Sequence, residues 1–465
     1  MKKLVLILAV VAGLATAVYL ANQAVKREDE YFHFIAQGEE ALRRGETFVA
    51  IEAYSGAIAL KHDSMLAYLK RGEAHQRRGD TPEMLAAALR DLRTAAQLGP
   101  TSTQALEKLG DVNFQLRRFA NAAENYESYL RLDDQSATVL YKLGLASRSD
   151  GRLTRAISAL QQAVKLNPAF HEAHYLLGLC MKDREQLAEA RASLDRAVEI
   201  SPAFIPAREE LADLHRLQGR MREEIDQLEA LSALDPAKVE RLIAVGLAHW
   251  RAGHREMAIG KLGQAAERFK DHPNVYTAVG EVWLDAAEGS GDRTEVRKAL
   301  EALEPIATQA SATSETLGLY GRALVLADRH AEAEQFFRRA AERFPTDPEV
   351  LPHYASVAQH QGHLAEARQA LLRYTILADE DRHDAENAAR IGDLSLQLND
   401  TAAAIVWYEK SAAVAAPDAA LLTRLAGAQA KAGHLVDARA TLHRALEKEP
   451  THPAALALAR RLQTR

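Results

Sequence analysis

The chain has 465 residues, 48% hydrophobic and 26% charged, and its 14 Pro and 25 Gly exclude a low-complexity or collagen-like make-up. A net charge of −6 supplies no basic field for nucleic acid, and the one cysteine, Cys180, excludes an internal disulfide or a cysteine-built zinc site. Abundant Ala, Leu, Glu and Arg with few β-branched runs predict an all-α protein.

The chain opens with Lys2 and Lys3, then an uncharged, mainly apolar run from Leu4 to Ala21, then Lys26 and Arg27. As a helix that run is about 27 Å long, enough for a bilayer core. Residues 1–25 are therefore expected to form a transmembrane anchor, with 26–30 as a linker. A cleaved signal segment ending at Ala15-Thr16-Ala17 is the alternative, although apolar residues continue past it through Val18, Tyr19 and Leu20. If Lys2 and Lys3 stay inside, the rest lies outside the cytoplasm, as the periplasmic part of a single-pass inner-membrane protein. Lys26 and Arg27 weaken that asymmetry, so a cytoplasmic array stays open.

From residue 31 onward the dominant signal is a repeat. Small residues recur at Gly38, Gly72, Gly110, Gly144, Gly178, Ala212, Gly246, Gly280, Gly321, Ala355, Gly392 and Ala426. Eight of the eleven intervals are 34 residues, and the others are 38, 41 and 37. Around them the same residue types return: Leu140, Leu143, Ala156, Leu160, Ala163 and Pro168 in one unit, and Leu422, Leu425, Ala438, Leu442, Ala445 and Pro450 in the last. A small residue suits the point where two helices of a hairpin approach closely. The leucines fill the seam, and proline stops the second helix.

This pattern resembles the tetratricopeptide repeat family from about Tyr31 to the carboxyl terminus. The resemblance implies about 12 antiparallel helix pairs stacked into a right-handed α-solenoid over 31–452, with a concave groove and a capping helix at 453–465. The interval of 38 places extra residues near "GDTPEMLAAAL", where Pro82 suits the first turn of a helix after Thr81. The interval of 41 places them near "AAEGSGDRTE", where Gly289, Ser290 and Gly291 predict an exposed loop and a break at 288–294.

No catalytic constellation stands out, and no enzyme, cofactor or metal is expected. "HEAH" (His171, Glu172, His174) lacks the spacing of a zinc-protease helix, and His174 takes a position that holds leucine in sister repeats. Function is expected in the variable positions of each first helix. Glu39, Glu73 and Asp111 form an acidic ladder, open to explanation as pairing within a helix with Lys70 and Lys108. Arg148, Lys182 and Arg216 form a basic ladder, open to explanation as a solvated face, and Tyr141, Leu145, Tyr175 and Leu179 form an apolar patch between the two ladders. Together they predict a groove for a protein or peptide partner carrying acidic groups. By resemblance, anchored arrays of this kind serve as interaction scaffolds in envelope assembly, secretion or polysaccharide export. The alternative is a structural subunit that assembles through its convex face or ends.

Overall fold

The computed structural model describes residues 2–79, 81–377 and 385–463, and it describes the side chains only from residue 13 onward. The described residues form 25 helices and no strand. They divide into two compact units, 1–234 and 235–465.

In the first unit the helices pair in chain order: α1 (Lys2–Arg43) with α2 (Thr47–Leu60), α3 (Met65–Arg78) with α4 (Pro82–Leu98), and α5 (Thr103–Gln115) with α6 (Phe119–Leu130). Then come α7 (Ala137–Ser149) with α8 (Leu153–Leu166), α9 (His171–Asp183) with α10 (Leu187–Ile200), and α11 (Ile205–Leu217) with α12 (Met221–Leu234). The second unit pairs α13 (Val239–Arg251) with α14 (Arg255–Arg268), α15 (Pro273–Ser290) with α16 (Arg293–Ala307), and α17 (Ser314–Leu326) with α18 (His330–Glu342). It continues with α19 (Val350–His360) and α20 (Leu364–Leu377), α21 (Ala385–Gln397) and α22 (Thr401–Val414), and α23 (Ala419–Lys431) and α24 (Leu435–Lys448). It closes with α25 (Pro453–Gln463), the expected cap. Pro168, Pro202 and Pro450 each follow the end of a second helix, as their missing amide predicts.

Each pair is set by one contact. A Cβ placed on Gly38 would lie 2.4 Å from the Tyr54 ring, on Gly110 2.4 Å from Tyr126, on Gly144 2.5 Å from Leu160, and on Gly392 2.6 Å from Tyr408. The large partner comes 16 residues after the glycine in each case, and Tyr54, Leu160 and Tyr408 are fully buried. Where the small residue is Ala355 or Ala426, the core holds a leucine at the same spacing, Leu371 or Leu442. A ring therefore needs glycine opposite it, whereas leucine tolerates alanine.

The same contact locates the insertions. Gly72 meets Leu92 and Gly280 meets Leu303, so the extra residues of these two repeats fall between small residue and partner. They are absorbed by longer helices. α4 has 17 residues, with Pro82 at its start and the Thr81 hydroxyl accepting the Met84 amide, as expected. α15 has 18 residues and takes in Gly289 and Ser290. The loop expected at 289–291 is thus a tight turn, with Gly291 left-handed at φ 72° and Asp292 capping α16. The division into units does not fall at 288–294, where α15 packs on α16 and α17 and Arg322 binds Glu288 through contacts of 2.6 and 2.8 Å. The division falls between Leu234 and Asp235 instead. In the third odd interval Ala355 and Leu371 keep the usual spacing, so its extra residues follow Leu371, in a stretch that includes 378–384, outside the described residues.

α1 runs unbroken through residues 26–30, so the expected linker continues the helix. The apolar run from Leu4 begins among side chains outside the described residues. Among the described residues no helix is long and apolar enough to cross a membrane, so they do not by themselves support the expected span. Leu14, Val18, Tyr19, Leu20 and Val25 are nevertheless exposed on α1, between 58% and 69%.

Gly38→Ala is expected to lower stability by about 1–3 kcal/mol through overpacking, despite the better helix propensity of alanine. Adding Tyr54→Leu, which recreates the alanine–leucine pair, restores most of the loss. Urea midpoints of the full chain check this, and a double variant no better than Gly38→Ala rejects the close-approach account.

Candidate partner-binding face

Successive first helices touch one another, as α3 does α5 and α7 does α9 in the first unit, and α15 does α17 and α17 does α19 in the second. Within each unit the first helices thus line one face, and the candidate residues lie on it.

The acidic ladder is not a row of pairs within helices. Glu39 binds Lys70 of the next repeat at 2.9 Å, and Glu73 accepts from the Gln104 side chain at 3.0 Å. Asp111 accepts from Lys142 at 2.9 Å and from the Tyr126 hydroxyl at 2.9 Å, while Lys142 also donates to Glu107 at 2.6 Å. The second unit repeats the arrangement: Asp393 accepts from the Tyr408 hydroxyl at 2.6 Å and from Arg424 at 2.8 Å. At Asp111 and Asp393 the acid just after the small residue therefore clamps the next repeat and also holds the hydroxyl of the tyrosine packed on that glycine, whereas Glu39 and Glu73 clamp the next repeat without such a tyrosine bond. Burial, helped by the Asp111 charge, raises the Tyr126 pKa; burial and the hydrogen bond to Asp393 raise that of Tyr408. Burial opposes the Lys142 ammonium, but its hydrogen bonds to Asp111 and Glu107 outweigh that and raise its pKa.

In the fourth and fifth repeats the acid is replaced by Leu145 and Leu179. Both are half-buried and pack on the core that contains Leu176, Leu177 and Met181. Tyr141 and Tyr175 are half-buried beside them, each against an aromatic ring at the start of the next repeat. Tyr141 lies 5.1 Å from Phe170, and Tyr175 lies edge-on to Phe204 at 5.3 Å. The His171 ring also meets Phe204 edge-on, at 4.9 Å. Phe170 and Phe204 occupy the position where Ser64, Ser102 and Ser136 cap α3, α5 and α7 through bonds to Ala67, Ala105 and Val139. Losing a serine cap costs about 1 kcal/mol, and an aromatic pair returns about 0.5–1.5 kcal/mol. The exchange is nearly neutral in stability, and it leaves a surface of aromatic and aliphatic side chains. Sequence reading missed Phe170 and Phe204 as parts of this patch, although the change from serine to phenylalanine eight residues before the small residue was visible.

The basic ladder is neutralised within the chain. Arg148 binds Asp183 at 2.8 Å, Lys182 binds Glu210, and Arg216 binds Asp213 at 2.9 Å. The first two pairs strap one repeat to the next. Arg216 is exposed, pairs along its own helix, and stands apart from the tyrosine–leucine patch. The expected basic edge is thus a set of ion pairs, because each cation finds a carboxylate on its own or the next first helix.

His174 Nε2 donates to the Pro168 carbonyl oxygen at 3.2 Å, a structural role. Among the described residues no group of three or more His, Cys, Asp or Glu is arranged to hold a metal ion.

Lys142→Met leaves Asp111 and Glu107 without their cation and is expected to cost about 1 kcal/mol, the pair being partly open to solvent. Arg216→Met, which breaks an exposed pair, is expected to change stability by less than about 0.5 kcal/mol. Equal effects in urea titrations would show that the clamp does not hold the repeats together.

No curated protein matches this chain. Among solved structures it is similar to MamA, at 24% identity over 38% of this chain and 93% of that one, with a TM-score of 0.36. It is also similar to YrrB, described as a TPR protein with an unusual peptide-binding site, at 22% identity over 42% and 98% with a TM-score of 0.36. Yeast Tom70 matches at 13% identity over 80% and 97% with a TM-score of 0.41. These likenesses are partial, and nothing about this chain's partners follows from them. The model of the tetratricopeptide repeat family matches residues 85–137, 141–203 and 284–348. Those stretches, which lie in both units, are similar to that family, and the small-residue contact that organises them recurs in the helix pairs on either side.

Proposed function

We propose that the chain is a non-enzymatic interaction scaffold that holds a protein or peptide partner on the first-helix face of its first unit. The observation that carries this is the patch of Tyr141, Leu145, Tyr175 and Leu179, with Phe170 and Phe204 in place of capping serines. Half-buried aromatic side chains held against fixed neighbours are good anchors, since little entropy is lost when a partner covers them. Because Arg148, Lys182 and Arg216 already hold carboxylates, the patch suits a segment that docks through apolar side chains, and acidic groups on that segment would have to displace internal partners. Tetratricopeptide repeats are generally protein-interaction modules, which supports the same reading.

The proposal includes attachment to a membrane through the first residues of α1, with the repeats outside the cytoplasm and a role in an envelope process. The uncharged run from Leu4 to Ala21 and the two lysines before it support this part.

Tyr141→Ala with Tyr175→Ala is expected to keep the helical circular dichroism signal while losing the proteins that the wild-type chain captures. Exposed Arg216→Met serves as the control. Capture unchanged by the tyrosine pair would remove this face as the docking site. A phosphatase fused to the carboxyl terminus is expected to be active only outside the cytoplasm; an inactive but intact fusion reverses the assigned side.

A further inference from the structure

Where α1 leaves the first helix pair it forms a crook of about 540 Å³ against the end of α2. The helix is fastened at that point. The Tyr31 hydroxyl and the Ser64 hydroxyl lie 2.7 Å apart in a buried hydrogen bond, and Lys61 binds Glu28 at 3.2 Å and lies 5.2 Å from the Tyr31 ring centroid. One wall of the crook is apolar, made by Tyr19, Leu20 and Ala24, and Tyr19 and Leu20 are 62% and 61% exposed. The other end carries Arg27 and Lys61. Arg27 has no ion-pair partner among the described residues, so with Glu28 set against Lys61 the crook keeps one unmatched positive charge.

These features fall in order along one helix. The uncharged run ends at Ala21, and Arg27 stands about 9 Å beyond it, at the depth of lipid headgroups if that run occupies the hydrocarbon. Long cationic side chains reach back toward that layer, and tyrosine favours its boundary. An apolar wall leading from the hydrocarbon to a net positive charge matches an acyl chain joined to a phosphodiester. The ammonium of a zwitterionic headgroup would meet that same charge and be repelled.

We propose that this crook is a binding site for one anionic phospholipid, its phosphate between Arg27 and Lys61 and an acyl chain along Tyr19, Leu20 and Ala24. This rests on the membrane attachment proposed above. A bound lipid would link the membrane directly to the first repeat, because α1 passes without interruption from Lys2 to Arg43.

The test uses the full chain carrying Gln23→Cys, with an environment-sensitive fluorophore on that residue, which lines the crook. Cys180 is fully buried, and burial pushes its thiol up to about 11, so the added cysteine takes the label. The protein is reconstituted into phosphatidylcholine vesicles containing a tenth of either brominated phosphatidylglycerol or brominated phosphatidylcholine. Quenching by the brominated phosphatidylglycerol is expected to be stronger by about twofold or more. Arg27→Gln with Lys61→Gln should abolish the excess, whereas Arg43→Gln with Arg44→Gln, an equal loss of charge at the far end of α1, should keep it. Equal quenching by the two lipids, or an excess that survives Arg27→Gln with Lys61→Gln, overturns the lipid site while leaving membrane attachment in place. A chain that neither floats with the vesicles nor is quenched by either lipid overturns membrane attachment and the site with it.

Discussion

The fold depends on one repeated close approach, in which a first helix without a Cβ at one point lets a ring or leucine of the second helix lie against its backbone. At Gly38, Gly110, Gly144 and Gly392 any added carbon would fall within 2.6 Å of that partner. The separation of the two helices follows from this, and the helix separation decides which side chains reach the seam. One pair cannot bury both of its faces, so each pair needs the next, and the chain grows as an array. The constraint also explains where length is free to change. Extra residues in α4 and α15 lengthen helices beyond the contact and leave the contact itself intact.

Between pairs the chain uses several fastenings in turn. Early in the first unit, acids after the small residue clamp the next repeat through Lys70, Gln104 and Lys142. In the fourth and fifth repeats tyrosine–phenylalanine contacts replace those acids and stand beside the straps made by Arg148 and Lys182. In the second unit Arg339 and Arg373, one repeat apart, donate to the carbonyl oxygens of Ala307 and Ala341 at the ends of the preceding second helices. These arginines meet carbonyls that have no partner within their helix, and they favour the negative end of its dipole. A change of fastening changes the surface above it. Charged clamps leave a polar, internally neutralised face, while aromatic contacts leave an apolar one, so the candidate docking patch arises where the means of stacking changes.

The ordinary use of charge in this array limits what its composition says about ligands. Arg148 and Lys182 look like a positive edge when counted by position, yet each holds a carboxylate of the next repeat. Their partners are about one repeat away in sequence, so a reading confined to one helix assigns them to solvent. Glu73 and Asp111 show the same effect, since the lysines three residues before them seemed to be their partners and the next repeat supplied the bonds seen.

The sequence by itself determined the helix pairs, their register and their stops, because a period of 34 residues, a small residue and a closing proline act through local geometry and sterics. It also marked Pro82 and Thr81 as a helix start, since a cap is made within four residues. It named Tyr141, Leu145, Tyr175 and Leu179 as variable positions of one face, but did not single out Phe170 and Phe204 beside them. Only the tertiary structure decided that these rings meet, that Gly289 and Ser290 extend a helix, and that residues 26–30 continue α1 into the first repeat. Each of those outcomes turns on what a neighbouring helix offers across space, and packing against that neighbour overrides the local preference that a sequence displays.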